Sequence, residues 1–284
     1  MKTVLQRILL FVIGLPLVIG VVVLLPYKHH LAVNLLVILL SALGSGEFAV
    51  LLQKKHKPIA VQEAGILGAV LPLTVTLTVS FDFPAQIVPG TFILGASWVL
   101  VSRIFAGEDT LKDVTDRFAA GCAVLVYPGL FMAWIIKMSR WAYADKVILM
   151  FLLMVIANDS VAWATGMLWG KGNQGIIPAS PHKSVAGFIG GLTASIIVGL
   201  GAFFFIPEAF SSRRIPSAWA GMALGLISGV VACLGDLGES AMKRSANMKD
   251  SGTLMPGRGG VLDSIDSLSL AAPVYYASYW FFFA

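Results

Sequence analysis

Nine long apolar runs dominate this chain, near residues 8–25, 31–52, 60–80, 84–107, 117–136, 147–169, 185–206, 216–235 and 266–283, separated by short polar or Gly/Pro-containing breaks. A hydrocarbon layer about 30 Å thick is crossed by about 20 helical residues rising about 1.5 Å each. Inside lipid a backbone must satisfy its own N–H and C=O groups, which only helices and closed barrels do. These runs lack the apolar/polar alternation of a membrane β-strand, so the barrel is set aside. The expectation is an all-α integral membrane protein with about nine transmembrane helices. Composition agrees: 57% of the 284 residues are hydrophobic and 12% charged, outside the range of a soluble globular domain.

In a soluble protein the net charge of +5 would suggest nucleic acid, but here it is spread over short loops between apolar runs, so nucleic acid is not expected as a partner. With nine spans, the side holding the N-terminus carries 14 lysines and arginines against 6 on the other. The positive-inside rule then places the N-terminus and residues 170–184 and 236–265 in the cytoplasm and the C-terminus outside, with Ser251 and Ser211 on opposite faces. Residues 8–25 are read as a retained span, because no A-x-A cleavage pattern precedes Tyr27. A multi-pass protein of the bacterial inner membrane is expected, its polar site facing the cytoplasm.

Cys122 and Cys233 lie in apolar stretches without metal-type spacing and read as small packing residues. His29, His30, His56 and His182 fall in polar connections and read as solvated loop histidines. Asp109 reads as a solvated loop acid.

Polar residues inside apolar runs carry more information. Asn158 and Asp159 interrupt the sixth run, where an ionisable group costs a few kcal/mol unless it faces a partner or a wet cavity. They are functional candidates, with helix packing as the plainer reading. Glu47, near the end of the second run, takes the plainer reading. The loop WGKGNQGIIPASPHKSVAGFIGG after the sixth run combines helix-breaking glycines and prolines with Lys171, His182 and Lys183. Its backbone could approach a phosphate closely, or it is an ordinary turn.

The densest polar stretch is residues 235–268, GDLGESAMKRSANMKDSGTLMPGRGGVLDSIDSL. If Asp236 opens a helix, Asp236, Ser240, Lys243 and Arg244 share one face. Beyond the turn formed by Pro256, Gly257, Gly259 and Gly260, Asp263 and Asp266 share a face of the next helix. Two helices are then expected to bring Asp236 and Asp263 together across the turn. These residue types suit phosphoryl or nucleotidyl transfer: Mg²⁺ takes carboxylate oxygens together with substrate phosphates, and lysine or arginine neutralises the remaining charge. A charge-balanced solvated loop is the alternative.

The same stretch resembles the phosphatidate cytidylyltransferase family, the CDP-diacylglycerol synthases. That family's signature runs S-x-x-K-R, four residues, K-D, then a P-x-H-G-G turn and x-x-D-R. Ser240, Lys243-Arg244, Lys249-Asp250, Pro256, Gly259-Gly260 and Asp263 match it with its spacing, and Gly235-Asp236 with Glu239 precede it as expected. Upstream, Asn158-Asp159-Ser160 resembles the family's N-D-T/S, and Ser180-Pro181, Lys183-Ser184 and Gly187 resemble its S-P-x-K-T/S-x-E-G. The match covers roughly residues 155–275. Three positions depart: Ala186 stands for Glu, Arg258 for His and Ser264 for Arg.

The resemblance implies N-terminal transmembrane helices over 1–145 and a catalytic transmembrane region over 146–284. It implies CTP and phosphatidic acid as substrates, CDP-diacylglycerol and pyrophosphate as products, and Mg²⁺, with room for a second ion, as cofactor. Asp236 and Asp263 are then the metal ligands, with Asp159, Asp250 and Asp266 as weaker candidates. Lys243 and Arg244 join the catalytic set. Lys183, Ser240, Lys249, Gly257, Arg258, Gly259, Gly260 and Asn158 bind substrate. A homodimer is left open. Other readings are a relative with a changed lipid acceptor, a non-catalytic lipid- or nucleotide-binding relative, and a transporter in which Asp159 relays protons.

Overall fold

A computed structural model describes residues 2–54, 59–105, 111–210, 218–255 and 257–283, with residues 2–11 described by their backbone. The expectations placed on His56, Asp109, Ser211 and Pro256 lie outside these residues. The helices are α1 (Lys2–Leu24), α2 (Tyr27–Gln53), α3 (Val61–Ser80), α4 (Ile87–Val101), α5 (Val114–Val124), a π-turn (Leu125–Leu130), α6 (Phe131–Met138), α7 (Ala144–Trp169), α8 (Val185–Phe205), a short 3₁₀ turn (Pro207–Phe210), α9 (Ala218–Ser245) and α10 (Leu262–Phe283). Among the described residues there is no strand beyond the isolated bridges Gln174–Ser184 and Met255–Gly259.

Each of the nine apolar runs coincides with helix, and the protein is an integral membrane protein. The count of nine spans is nevertheless corrected: among the described residues, six helices are long and apolar enough to cross a bilayer. They are Tyr27–Gln53, Val61–Ser80, Val114–Met138, Ala144–Trp169, Val185–Phe205 and Ala218–Ser245. The fourth run shrinks to the 15 residues of α4, because Phe81–Gln86 form turns. The last run is a 22-residue helix, but Asp266, Ser267, Ser269, Tyr275 and Tyr279 make it too polar to qualify, and all five are buried against protein. In the first helix the described apolar part is Val12–Leu24.

By its internal packing the chain divides into two compact units, residues 1–140 with 245–265 and residues 141–244 with 266–284. In the first unit, Ser41 Oγ donates to Gly68 O at 2.7 Å, and a Cβ on Gly68 would fall 1.8 Å from Ser45 Oγ, so α2 and α3 meet nearly backbone to backbone. Buried Arg117 of α5 pairs with Glu63 of α3, which offsets the cost of a guanidinium at that depth. His30 is also buried, its Nδ1 lying 3.1 Å from Val22 O. The solvated reading of this histidine is therefore corrected.

The second unit is assembled through small residues. The residues that α8 buries are Gly187, Gly191, Ser195 and Gly199, one every four positions, and α9 answers with Gly221, Gly225 and Gly229. A Cβ on Gly199 would lie 2.1 Å from Gly221 O, and one on Gly225 2.3 Å from Ser195 O. Apolar surface gains little by leaving lipid for protein, so close backbone approach is how membrane helices gain contact. Helix α10 is tied in by Tyr275, whose hydroxyl donates to Val147 O at 2.9 Å.

Candidate active site

Helix α9 does not begin at Asp236 but runs through it to Ser245. Its 28 residues span about 42 Å, against a hydrocarbon layer of about 30 Å, so its last turns can leave the lipid. Asp236, Glu239, Ser240, Lys243 and Arg244 ride on those turns, and the connection to α10 is shortened to residues 246–261.

In the second unit, Lys183 meets this end of α9. Its Nζ lies 2.5 Å from Asp236 Oδ2. The lysine is aimed by its loop: Val185 N donates to Asn173 O at 3.1 Å, and Ser184 caps α8 by accepting from Gly187 N at 3.1 Å. Gly172 and Gly175 turn the loop with φ of +84° and +83°, conformations that glycine adopts without steric cost. Ser240 Oγ is 3.5 Å from Asp236 Oδ1, a marginal hydrogen bond. One turn along, Lys243 pairs with the fully buried Glu239 rather than with Asp236. Arg244, Lys171 and His182 are exposed.

Asp159, Asp236 and Glu239 all lie within electrostatic reach of buried Asp266, whose Oδ1 accepts from Ser267 N at 2.6 Å. Four carboxylates thus share a neighbourhood with two ammonium groups. Asn158 is 1% exposed, and both ends of its amide are engaged: Nδ2 donates to Ser195 Oγ at 3.2 Å, and Oδ1 accepts from Cys233 Sγ at 3.3 Å. It ties α7 to α8 and α9.

In the first unit the signature turn closes on itself. Met255 N donates to Gly259 O at 2.8 Å and Gly259 N to Met255 O at 3.0 Å, with Gly257 and Gly259 at φ +78° and +109°. Asp263 organises the stretch from the first turn of α10: its Oδ2 accepts from Ser251 N (2.9 Å), Ser251 Oγ (2.9 Å) and Gly260 N (2.6 Å). The N–H groups of Gly259 and Gly260 are therefore engaged within the turn. Ser264, which replaces the family's arginine, donates to Gly260 O at 3.2 Å. Lys249, Asp250 and Arg258 are exposed.

One participant escaped the sequence reading. Glu47 Oε2, from α2, accepts from Leu262 N at 2.8 Å and from Ser251 Oγ at 3.0 Å. The signal that singled out Asp159, an ionisable residue in an apolar run, applied equally to Glu47. Its place near the end of the run masked it.

Among the described residues no group of three or more His, Cys, Asp or Glu side chains is gathered into a ready metal cage. Donor chemistry still suits a hard divalent cation, since Mg²⁺ characteristically takes one or two carboxylates, substrate phosphates and waters. Asp236, with Asp159 and Glu239 in its neighbourhood, offers donors of that kind.

A sequence profile of the cytidylyltransferase family matches residues 5–282. The chain is 26% identical to a phosphatidate cytidylyltransferase of Synechocystis sp. (strain ATCC 27184 / PCC 6803 / Kazusa), over 95% of this chain and 94% of that protein. It is 29% identical to the enzyme of that name from Staphylococcus aureus (strain COL), over 75% of this chain and 78% of the relative. The corresponding Chlamydia muridarum (strain MoPn / Nigg) protein is 39% identical over a shorter stretch, 44% of this chain and 41% of its own length.

Proposed function

This chain belongs to the cytidylyltransferase family, and from that premise we propose that it condenses CTP with phosphatidic acid, making CDP-diacylglycerol and pyrophosphate for phospholipid synthesis. A phosphate oxygen of phosphatidic acid attacks the α-phosphorus of CTP, the α–β bridging P–O bond breaks, and pyrophosphate leaves with the electron pair. The nucleophile is already an anion, so the chain need supply neither a serine or cysteine nucleophile nor a strong base. It has to bring two polyanions together at the lipid surface and neutralise them.

Lys183 and Lys243 are the groups suited to that work. Each is held by a carboxylate, Asp236 and Glu239 respectively, and each ammonium has three N–H donors, so one can stay on the carboxylate while others reach phosphate oxygens. Arg244 adds an exposed cation near the end of α9, and Lys249 and Arg258 are exposed in the connection that follows it. The acyl chains stay in lipid beside the helices.

Mg²⁺ is the proposed cofactor, and when bound it supplies Lewis-acid stabilisation of the phosphoryl oxygens. Asp236 and Asp263 are each proposed as ligands, with Asp159, Asp250 and Asp266 as further candidates for this or a second ion. The site is proposed to face the cytoplasm from the inner membrane, where CTP is available.

The observation that carries this reading is the Lys183–Asp236 pair near the C-terminal end of α9, a fixed cation among acids. The test is pyrophosphate release from CTP by purified protein in detergent. Release is expected only when phosphatidic acid and Mg²⁺ are both present. No release, or release that ignores the lipid, would overturn the assignment.

A further inference from the structure

We propose that Glu47 is a positioning residue for this reaction, acting through Asp263, and the inference rests on the function proposed above. Glu47 sits in α2 among buried apolar neighbours such as Phe48, Ala49 and Leu51. A carboxylate there is costly unless hydrogen bonds compensate it. They come from the signature segment about 200 residues later in the chain.

Leu262 N, one of the four N–H groups that the start of α10 leaves without an intrahelical partner, donates to Glu47 Oε2. Glu47 therefore caps α10 from another helix. Ser251 lies between the two acids, with Oγ 3.0 Å from Glu47 Oε2 and 2.9 Å from Asp263 Oδ2, while Asp263 N donates to the same Oγ at 3.3 Å. A single hydroxyl proton serves one carboxylate at a time, so the position of each acid depends on the other through Ser251.

Two glycines of the segment are accounted for by the same carboxylate. A Cβ on Gly252 would fall 2.4 Å from Glu47 Oε1, and one on Gly260 2.2 Å from Oε2. Neither position has room for a side chain while Glu47 is in place. Gly260 is also the residue whose N–H holds Asp263 at 2.6 Å. Glu47 thus fixes the backbone that fixes Asp263, without itself being placed against substrate.

The test compares full-length Glu47→Ala, Glu47→Gln and Ser251→Ala proteins in detergent by amide hydrogen exchange over residues 250–262, together with KM and kcat for CTP. Glu47→Ala should speed exchange in that segment at least about tenfold and lower kcat/KM about tenfold to a hundredfold. Glu47→Gln keeps a carbonyl oxygen for Leu262 N and should restore most of the exchange protection and part of the rate. Ser251→Ala keeps the Leu262 bond and should fall between, which serves if Glu47→Ala does not fold. General loss of stability would instead speed exchange throughout α2 and α3 and leave the kinetic constants of the folded fraction unchanged, which overturns the proposal. So would wild-type exchange over 250–262 in Glu47→Ala. An inactive unmodified protein would sink the proposed function, and the exchange comparison would still decide whether Glu47 holds the turn.

Discussion

Lys183 Nζ lies 2.5 Å from Asp236 Oδ2, which joins the residue that precedes the N-cap of α8 to the C-terminal turns of α9. Helices α8 and α9 run antiparallel with glycine at their contacts, so the pair sits where the two chains of small residues end. Half-buried and flanked by further acids, this ammonium is held in one place, ready for a phosphate oxygen, instead of sweeping through solvent.

Removing the cation tests that arrangement. Lys183→Met should lower kcat/KM for CTP about 10²- to 10³-fold, the usual cost of deleting one preorganised charge-stabilising donor. Lys183→Arg keeps the charge but changes donor geometry and should lie between. Steady-state pyrophosphate release measures both, and wild-type kinetics in Lys183→Met would exclude Lys183 from the site.

The acids should separate by mechanism. Asp236→Asn and Asp263→Asn are near-isosteric and should leave insertion intact, while turnover falls by a factor worth several kcal/mol and the Mg²⁺ requirement shifts to higher concentration. Asp82→Asn is the control, since Asp82 is 79% exposed and only 3.4 Å from Arg140 in a surface pair of little energetic weight. Titration of turnover against Mg²⁺ decides the matter, and unchanged curves in both site variants would remove these acids from metal binding.

Much of this was legible in the chain. Apolar runs of about twenty residues locate the helices, closely for 60–80 against Val61–Ser80 and less so for 216–235, since that helix continues to Ser245. Where the reading failed, tertiary partners had changed the meaning of a residue. Gly235 ends the apolar run, yet α9 runs through it, and the absent side chain admits Asp266 O, 2.6 Å from where a Cβ would be. Ser267, Ser269, Tyr275 and Tyr279 lower the apolar character of α10 but bury against protein. Glu47 could be understood only once Leu262 and Ser251 were known to reach it.

The departures from the family pattern give a gain-of-function test. Arg258 can offer its guanidinium to a phosphate but cannot exchange a proton near neutral pH, and Ser264 spends its hydroxyl on Gly260 O. Arg258→His with Ser264→Arg should raise kcat. The cost is one half-exposed hydrogen bond, about 1 kcal/mol. A double variant no faster than the parent would show that these positions do not limit turnover.

The 21 residues of α8 cover about 31 Å, enough to put its two ends on opposite faces of a bilayer, and the proposed orientation puts the Lys171 end in the cytoplasm. With Cys122 and Cys233 changed to serine, Lys171→Cys should label only from the cytoplasmic face of oriented vesicles and Glu208→Cys only from the other. Labelling of both from one face would rule out α8 as a span.

The packing of α8 on α9 predicts opposite outcomes for two glycines of one helix. A methyl on Gly225 would sit 2.3 Å from Ser195 O and 3.0 Å from Ile196 Cα, and since these are backbone atoms a helix has to shift. Gly225→Ala should therefore destabilise the protein by about 1–3 kcal/mol, the range for overpacking a well-filled contact. Thirteen residues further on, Gly238 has nothing within 4 Å of the Cβ position. Gly238→Ala gains helix propensity of about 0.5–1 kcal/mol without a clash and should match or exceed the parent in stability. Thermal unfolding midpoints in one detergent, at equal protein concentration, compare the three proteins directly. A Gly225→Ala midpoint at or above that of Gly238→Ala would mean that α8 and α9 do not meet through these glycines, and the small-residue seam would have to be abandoned.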